Sequence, residues 1–360
     1  MIRNILLFMG AALLAAAPAS AQKPLTVEPG IQHGTLIIFP VVAPATAGTQ
    51  KFLTLDEGVG SGAVSVRESG GGEVNRLQLV NDSGRPLLLL AGEIVTGGKQ
   101  DRIVGVDRIV PPHSGPIDLS VFCVEPGRWT SESNQFGSMK LQMAGPSVRE
   151  PAMAAKDQQQ VWDRTRAAVS ETVEVASSSP EVSTSGGSIA GGIVARNAAP
   201  KTSSYARAMS APMVQAQVNK IADNYDSVLA QLRRQHARGV VVAIGGRIVW
   251  ADIFASDDLL ARYWQKLVRS YASDALINSA WTGSVDREDA QRFLNQMAGE
   301  QEISDTKEGL YRSTEITGPG FKVFQLTSLL SSPTYVVHTA KIARGDSGMK
   351  PTTVGRMIRR

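Results

Sequence analysis

The spacing of apolar and polar positions changes character along the chain. From about Thr35 to Val124 apolar residues come in short runs broken by turn residues. Thr35-Leu36-Ile37-Ile38-Phe39-Pro40-Val41-Val42 is nearly continuous, Lys51 to Leu55 and Ala63 to Val66 are shorter, and Leu77 and Leu79 share one face of Val74 to Val80. Asn81-Asp82-Ser83-Gly84-Arg85-Pro86 reads as a turn, because Asn and Asp bond their local backbone, Gly supplies positive φ and Pro fixes φ. Leu87 to Leu90, Ile103-Val104, Ile109-Val110 and Ile117 to Val124 complete a series of short strands. Such a series predicts a sandwich or barrel-like β unit.

From about Ser147 the period becomes helical. Gln158 to Val175 places Val161, Trp162, Thr165, Ala168 and Val169 on one side. Met213 to His236 repeats Val214, Val218, Ile221, Tyr225, Val228 and Leu232 at steps of four and three, one helical face that Gly239 is expected to end. Val240 to Ile244, Gly245-Gly246 and Arg247 to Phe254 form a hairpin signature with a two-residue loop. Ser256 caps a helix from Asp257 to Tyr271, Asp286 to Met297 is a further helix, and strands at Leu310–Ser313, Phe321–Leu326 and Thr334–His338 follow. The fold class is therefore α+β: a β-rich N-terminal half, sandwich or barrel-like, continuing into a mixed helix/strand C-terminal half. Residues 177–204, rich in Ser, Gly, Ala and Thr, have too little apolar surface to offset their ordering entropy and read as a flexible excursion.

The first residues read as an address. Arg3 precedes an apolar run that ends in Ala19-Ser20-Ala21, the small-x-small pattern of a cleavage site. The expected organisation is a signal peptide at 1–21, an N-terminal extension at 22–34, a single α+β domain at 35–340 interrupted at 177–204, and a basic C-terminal tail at 341–360. The expected location is exported, periplasmic or secreted, with no transmembrane span in the mature chain, since no later stretch reaches 18 uninterrupted apolar residues.

Composition narrows the class further. With 42% hydrophobic and 19% charged residues, the 360-residue chain is neither wholly disordered nor collagen-like. The formal net charge of +4 is dispersed; the clusters at Arg233–Arg238 and Arg356–Arg360 lack interleaved aromatics, so no nucleic-acid partner is expected. Cys123 is the only cysteine, which excludes an intramolecular disulfide, and its strand context reads as a buried, inert thiol. His33, His113, His236 and His338 are far apart and lack paired ligand spacing, so no metal and no cofactor is expected. Gly58-Val59-Gly60-Ser61-Gly62 lacks the helix and acid of a dinucleotide fingerprint and reads as a Gly-rich hairpin. Ser304-Asp305-Thr306-Lys307 matches an acylating Ser-x-x-Lys, without the companion Ser-Asp-Asn and Lys-Thr-Gly motifs.

The polar load concentrates at 91–129. Glu93 closely follows four leucines, so its carboxylate needs a partner. Gly97-Gly98 turns tightly before Lys99, Gln100, Asp101 and Arg102, and a later strand ends in Glu125-Pro126-Gly127-Arg128-Trp129. If the two strands are neighbours, these groups converge. Glu93, Lys99, Gln100, Asp101, Arg102, Glu125, Arg128 and Trp129 are the candidate ligand-binding residues, with Arg128 as a bidentate clamp and Trp129 as a stacking wall. The partner would be a small anionic or zwitterionic ligand, or an envelope protein. The alternative is a hydrolase with Glu93 and Glu125 in acid–base roles and Lys99 and Arg128 stabilising charge. The structural counterpart to both is a buried ion pair of Glu93 with Arg102 or Arg128.

The block Gly92-Glu93 … Gly98-Lys99-Gln100-Asp101-Arg102 and Cys123-Val124-Glu125-Pro126-Gly127-Arg128-Trp129 resembles the ARG-and-rhodanese-phosphatase-superfamily-associated protein domain family. Gly239-Val240, Gly246-Arg247-Ile248-Val249 and Asp252-Ile253-Phe254 are similar to it as well, so that the resemblance spans about Ile31 to Val337. It implies one long domain interrupted by the Ser/Gly segment, and it carries over no catalytic residue.

Overall fold

The structure, a computed structural model, describes residues 24–44, 46, 51–70, 73, 75–125, 135–178, 202–278, 283–306 and 309–344. The expected signal peptide, Arg128, Trp129, residues 179–201 of the excursion and 345–360 of the tail lie outside the described residues.

The N-terminal half runs β1 (Thr26–Val27), β2 (Ile31–His33), β3 (Leu36–Val42), β4 (Leu53–Thr54), α1 (Leu55–Gly60), β5 (Val64–Glu68), β6 (Arg76–Asn81), β7 (Leu87–Leu89), β8 (Glu93–Gly97), β9 (Arg102–Val104), β10 (Arg108–Val110), β11 (Ile117–Cys123) and β12 (Gln135–Met143). It continues through α2 (Pro146–Glu150), a π-helical turn at Pro151–Ala155, α3 (Gln158–Ser178), α4 (Tyr205–Ser210), α5 (Pro212–Ala222), a 3-10 turn at Asp223–Tyr225 and α6 (Asp226–Arg234). The C-terminal half is β13 (Ala237–Ile244), β14 (Arg247–Phe254), α7 (Asp257–Ile277), α8 (Arg287–Asn295), β15 (Glu300–Asp305), β16 (Tyr311–Gly318), β17 (Phe321–Ser328) and β18 (Tyr335–Ala343).

Six short strands close a barrel in the order β11-β6-β5-β12-β8-β9. Alternation fills it: Val64, Val66, Leu77, Leu79, Val95, Val104, Leu119 and Val121 form one buried cluster. A three-stranded sheet, β10-β7-β4, adjoins it. The long sheet, β1-β3-β13-β14-β18-β17-β16-β15 with β2 on β3, is buried on both faces at its centre. Val240, Val242 and Ile244 of β13 face α7, while Val241 and Ala243 face α8, which explains a continuous apolar run where a one-sided strand would alternate. The β13–β14 hairpin turns at Gly245-Gly246, both at positive φ (57° and 73°), as its sequence indicates. The fold is α+β, with a β-rich N-terminal half that includes the barrel and a mixed C-terminal half.

Several local readings change. Residues 55–60 form a helix where a strand and a Gly-rich hairpin were expected. Thr54 and Glu57 make a reciprocal capping box, and a Cβ on Gly58 would lie 2.4 Å from Val64 Cγ2, so glycine lets α1 sit on β5. The helix expected over Met213–His236 is interrupted at Asp223–Tyr225, where buried Tyr225 donates to the Leu36 carbonyl (2.6 Å) and accepts from the His33 N–H (3.1 Å). Gly239 lies inside β13, where a Cβ would meet the Asp252 carbonyl at 2.5 Å. The expected extension at 22–34 supplies β1 and β2 to the sheet edge. Strand β12 was not anticipated; pairing with β5 and β8 holds it in the barrel.

Candidate functional site

Of the described candidate residues, Glu93, Gln100, Asp101, Arg102 and Glu125 are buried and Lys99 is half-buried. Glu93, at the start of β8, has no exposure, and its partner is Lys266 of α7 (Nζ–Oε1 2.6 Å), not Arg102. It also accepts the Leu90 N–H at 2.9 Å, and Lys266 reaches Asp56 Oδ1 at 3.0 Å. Burial disfavours the Lys266 charge, but Glu93 and Asp56 outweigh it and hold the ammonium above its ordinary pKa. Buried Glu93 and half-buried Asp56 share one cation, and burial pushes the Glu93 carboxyl up.

Gln100, Asp101, Arg102 and Glu125 do converge, as the neighbouring-strand argument requires, because β9 pairs with β11. Their hydrogen bonds run inward. Asp101 Oδ1 accepts from Gly97 N–H (3.1 Å) and Oδ2 from the Ser204 hydroxyl (2.7 Å), the cap of α4. Glu125 Oε2 accepts from Asp101 N–H (3.2 Å), and Gln100 Nε2 donates to the Glu125 carbonyl (3.1 Å). Arg102, fully buried, donates to the Gln100 carbonyl (2.7 Å). Lys99 anchors through its backbone N–H to Glu68 Oε1 at 2.7 Å. Cys123 is buried 3.1 Å from Gln100 Oε1, and burial raises its thiol pKa. These groups weld the barrel wall to α4.

A second polar cluster, which the sequence reading did not single out, joins four elements. His338 of β18, fully buried, donates from Nδ1 to Asp107 Oδ2 (2.5 Å) and from Nε2 to Asp252 Oδ1 of β14 (3.2 Å). Arg149 of α2 holds Asp252 through both guanidinium nitrogens at 3.1 Å, and the Tyr271 hydroxyl of α7 also donates to Asp252. Asp107 Oδ1 accepts the Ala91 N–H at 2.8 Å. Arg149 stacks 4.4 Å above the Trp250 ring, and a Cβ on Gly92 (φ 95°) would lie 2.6 Å from the Arg149 side chain. Two acids and two bases cancel only if the imidazole is charged. Burial opposes that charge, but Asp107 and Asp252 outweigh it and push His338 up to about 9. Burial likewise opposes ionisation of Asp252, but Arg149 and His338 hold it well below the carboxylate range. The available signal was Asp252 itself: one acid inside Ile248–Phe254, an otherwise apolar strand, must have a buried partner.

The cluster meets solvent at Asp107, in the loop between β9 and β10. Strand register places Ser304, Ser313, Leu326, His338 and Phe254 in one row across five strands, and Glu302, Glu315, Phe324, Ala340 and Asp252 in the next. Beyond His338 this face opens into a cleft of about 250 Å³ between β15–β17 and Gly105–Asp107, bordered also by Met153, Lys156 and Tyr311. Glu315 is held by Lys156 (2.9 Å) and Lys322, and Arg108 Nε donates to the Tyr311 hydroxyl (3.1 Å). Ser304 of the Ser-x-x-Lys match lies on exposed strand β15 and does not open a helix. Among the described residues no group of His, Cys, Asp or Glu is placed to hold a metal ion, and no helix is long and apolar enough to cross a membrane.

A barrel joined through buried charge pairs to a long sheet whose centre is covered on both faces defines an α+β protein. Residues 24–341 match the family model of the ARG and Rhodanese-Phosphatase-superfamily-associated Protein domain, and the chain belongs to that family. No curated protein and no solved structure matches the chain.

Proposed function

We propose that the chain is an exported ligand-binding module whose ligand sits in the cleft between Gly105–Asp107 and β15–β17. The observation that carries this reading is the continuity of one sheet face, from the buried His338 cluster to an open polar wall. A rigid, charge-neutral floor is what a preformed small-molecule site needs. Asp107 is balanced by His338, and Glu315 by Lys156 and Lys322, so the cleft favours no strong anion. Ser304 and Ser313 offer hydrogen bonds beside Phe324 and Met153, a mixture suited to a neutral, hydroxyl-rich ring. The turns at 92–102 act as scaffold beneath this site. The hydrolase reading of Glu93 and Glu125 finds no support in carboxylates already engaged by Lys266, Leu90 and Asp101.

Saturation-transfer NMR with a panel of mono- and disaccharides tests the proposal. Saturable binding that is lost in Ser313→Trp, with the fold retained by circular dichroism, is expected. Absence of binding to any sugar, or binding indifferent to Ser313→Trp, removes this cleft as the site.

A further inference from the structure

On the opposite face of the long sheet, one arginine stands apart from every other buried cation described above. Arg238 lies where the pairing of β13 with β3 skips a residue between Ala237 and Gly239, so a β-bulge carries its side chain out of the ladder. Its Nη1 donates to the Pro44 carbonyl (2.6 Å) and to Thr46 Oγ1 (3.5 Å), while its Nε is out of water and finds no acceptor among the described residues. Arg149 and Lys266 each face carboxylates; Arg238 faces none among the described residues, and Val42 to Phe52 contains no Asp or Glu. Burial alone acts on it and lowers its pKa. A partly desolvated guanidinium with no carboxylate beside it among the described residues is costly, and its fork of N–H donors is complementary to a carboxylate.

That guanidinium lines a pocket of about 200 Å³ whose other walls divide by chemistry. Leu25, Ile253 and Val336 are apolar; Thr46, Gln325 and Thr339 are neutral hydrogen-bonding groups. Gln325 and Thr339 are register partners, and Gln325 Nε2 donates to Thr339 Oγ1 at 3.4 Å. The volume lies below the roughly 300–1,000 Å³ of sites for drug-sized ligands, which limits the occupant to a small molecule.

We propose that this pocket binds a small organic carboxylate, its anionic head on the Arg238 guanidinium and its apolar body against Leu25, Ile253 and Val336. The site is separate from the cleft at Asp107 and does not depend on that reading. A bound carboxylate supplies the missing counterion, and the apolar walls exclude water from the pair, which strengthens it.

Titration calorimetry of the full chain with sodium benzoate, benzamide and inorganic phosphate decides the matter. Benzoate is expected to bind saturably, at least tenfold more tightly than isosteric benzamide and than phosphate. Arg238→Gln is expected to weaken benzoate at least tenfold, and Arg238→Lys, which keeps the charge but loses the fork, to fall between. Equal affinity for benzoate and benzamide, preference for phosphate, or no saturable benzoate binding overturns the proposal. So does an Arg238→Gln protein that folds and binds benzoate unchanged. The benzoate–benzamide comparison uses the unmodified chain and holds even if the variants fail to fold.

Discussion

At the scale of single residues, His338 is the group whose ionisation the fold commits to most strongly. Its folded pKa of about 9 lies above the ordinary 6.5. A base raised in this way stabilises fully below its unfolded pKa, and the contribution disappears as pH rises through the folded value. The shift corresponds to about 3 kcal/mol. Urea unfolding of wild type and His338→Gln is therefore expected to differ most near pH 6 and progressively less toward pH 10. Lys341, pushed by burial down to about 8, works in the opposite sense between pH 8 and 10.5, but it does so in both proteins and cancels in the difference. A gap that stays constant with pH would mean that His338 is neutral in the fold. The residue-level lesson is that an acid in an apolar strand, Asp252, points to a buried partner, while nothing in sequence spacing says that the partner is His338, 86 positions away.

At the scale of elements, the turn at Gly92 links the entry of β8 to the Arg149 side chain. Glycine is needed there twice over, for φ 95° and for a contact that any Cβ would violate. Gly92→Ala is expected to destabilise by more than about 2 kcal/mol, combining backbone strain with steric displacement of Arg149. Gly34→Ala, at φ 61° with open space around it, should cost only about 1 kcal/mol of backbone strain. Thermal denaturation of the two variants checks the ranking; equal losses would mean that Arg149 yields freely. The elements that the sequence misses are held by their neighbours. α1 is a single short helix set by a capping box and a close approach to β5, and β12, with only Met139, Leu141 and Met143 alternating, is held by the hydrogen bonds that barrel closure supplies.

At the scale of the whole molecule, buried charges tie the barrel to the long sheet. Lys266 reaches from α7 to Glu93 on β8 and Asp56 on α1, and Asp107 bonds both Ala91 and His338. Lys266→Met leaves two carboxylates without their buried cation and is expected to cost about 3–5 kcal/mol. Hydrogen exchange is expected to accelerate in β8 and α7 together. Acceleration confined to α7 would mean that the barrel stands without the link.

The sequence alone determined the α+β class, the Gly-Gly hairpin and the Ser256-capped helix, and it made the convergence of Gln100, Asp101, Arg102 and Glu125 conditional on a strand pairing that the fold supplies. All of these follow from local periodicity, turn chemistry or the pairing of nearby strands. The tertiary structure decided which charges meet. It gave Glu93 a lysine 173 residues away, buried Gln100, Asp101 and Arg102, and left Arg238 beside an open pocket. Partners across such separations are chosen by how whole sheets and helices stack, and one-dimensional spacing carries no record of that packing.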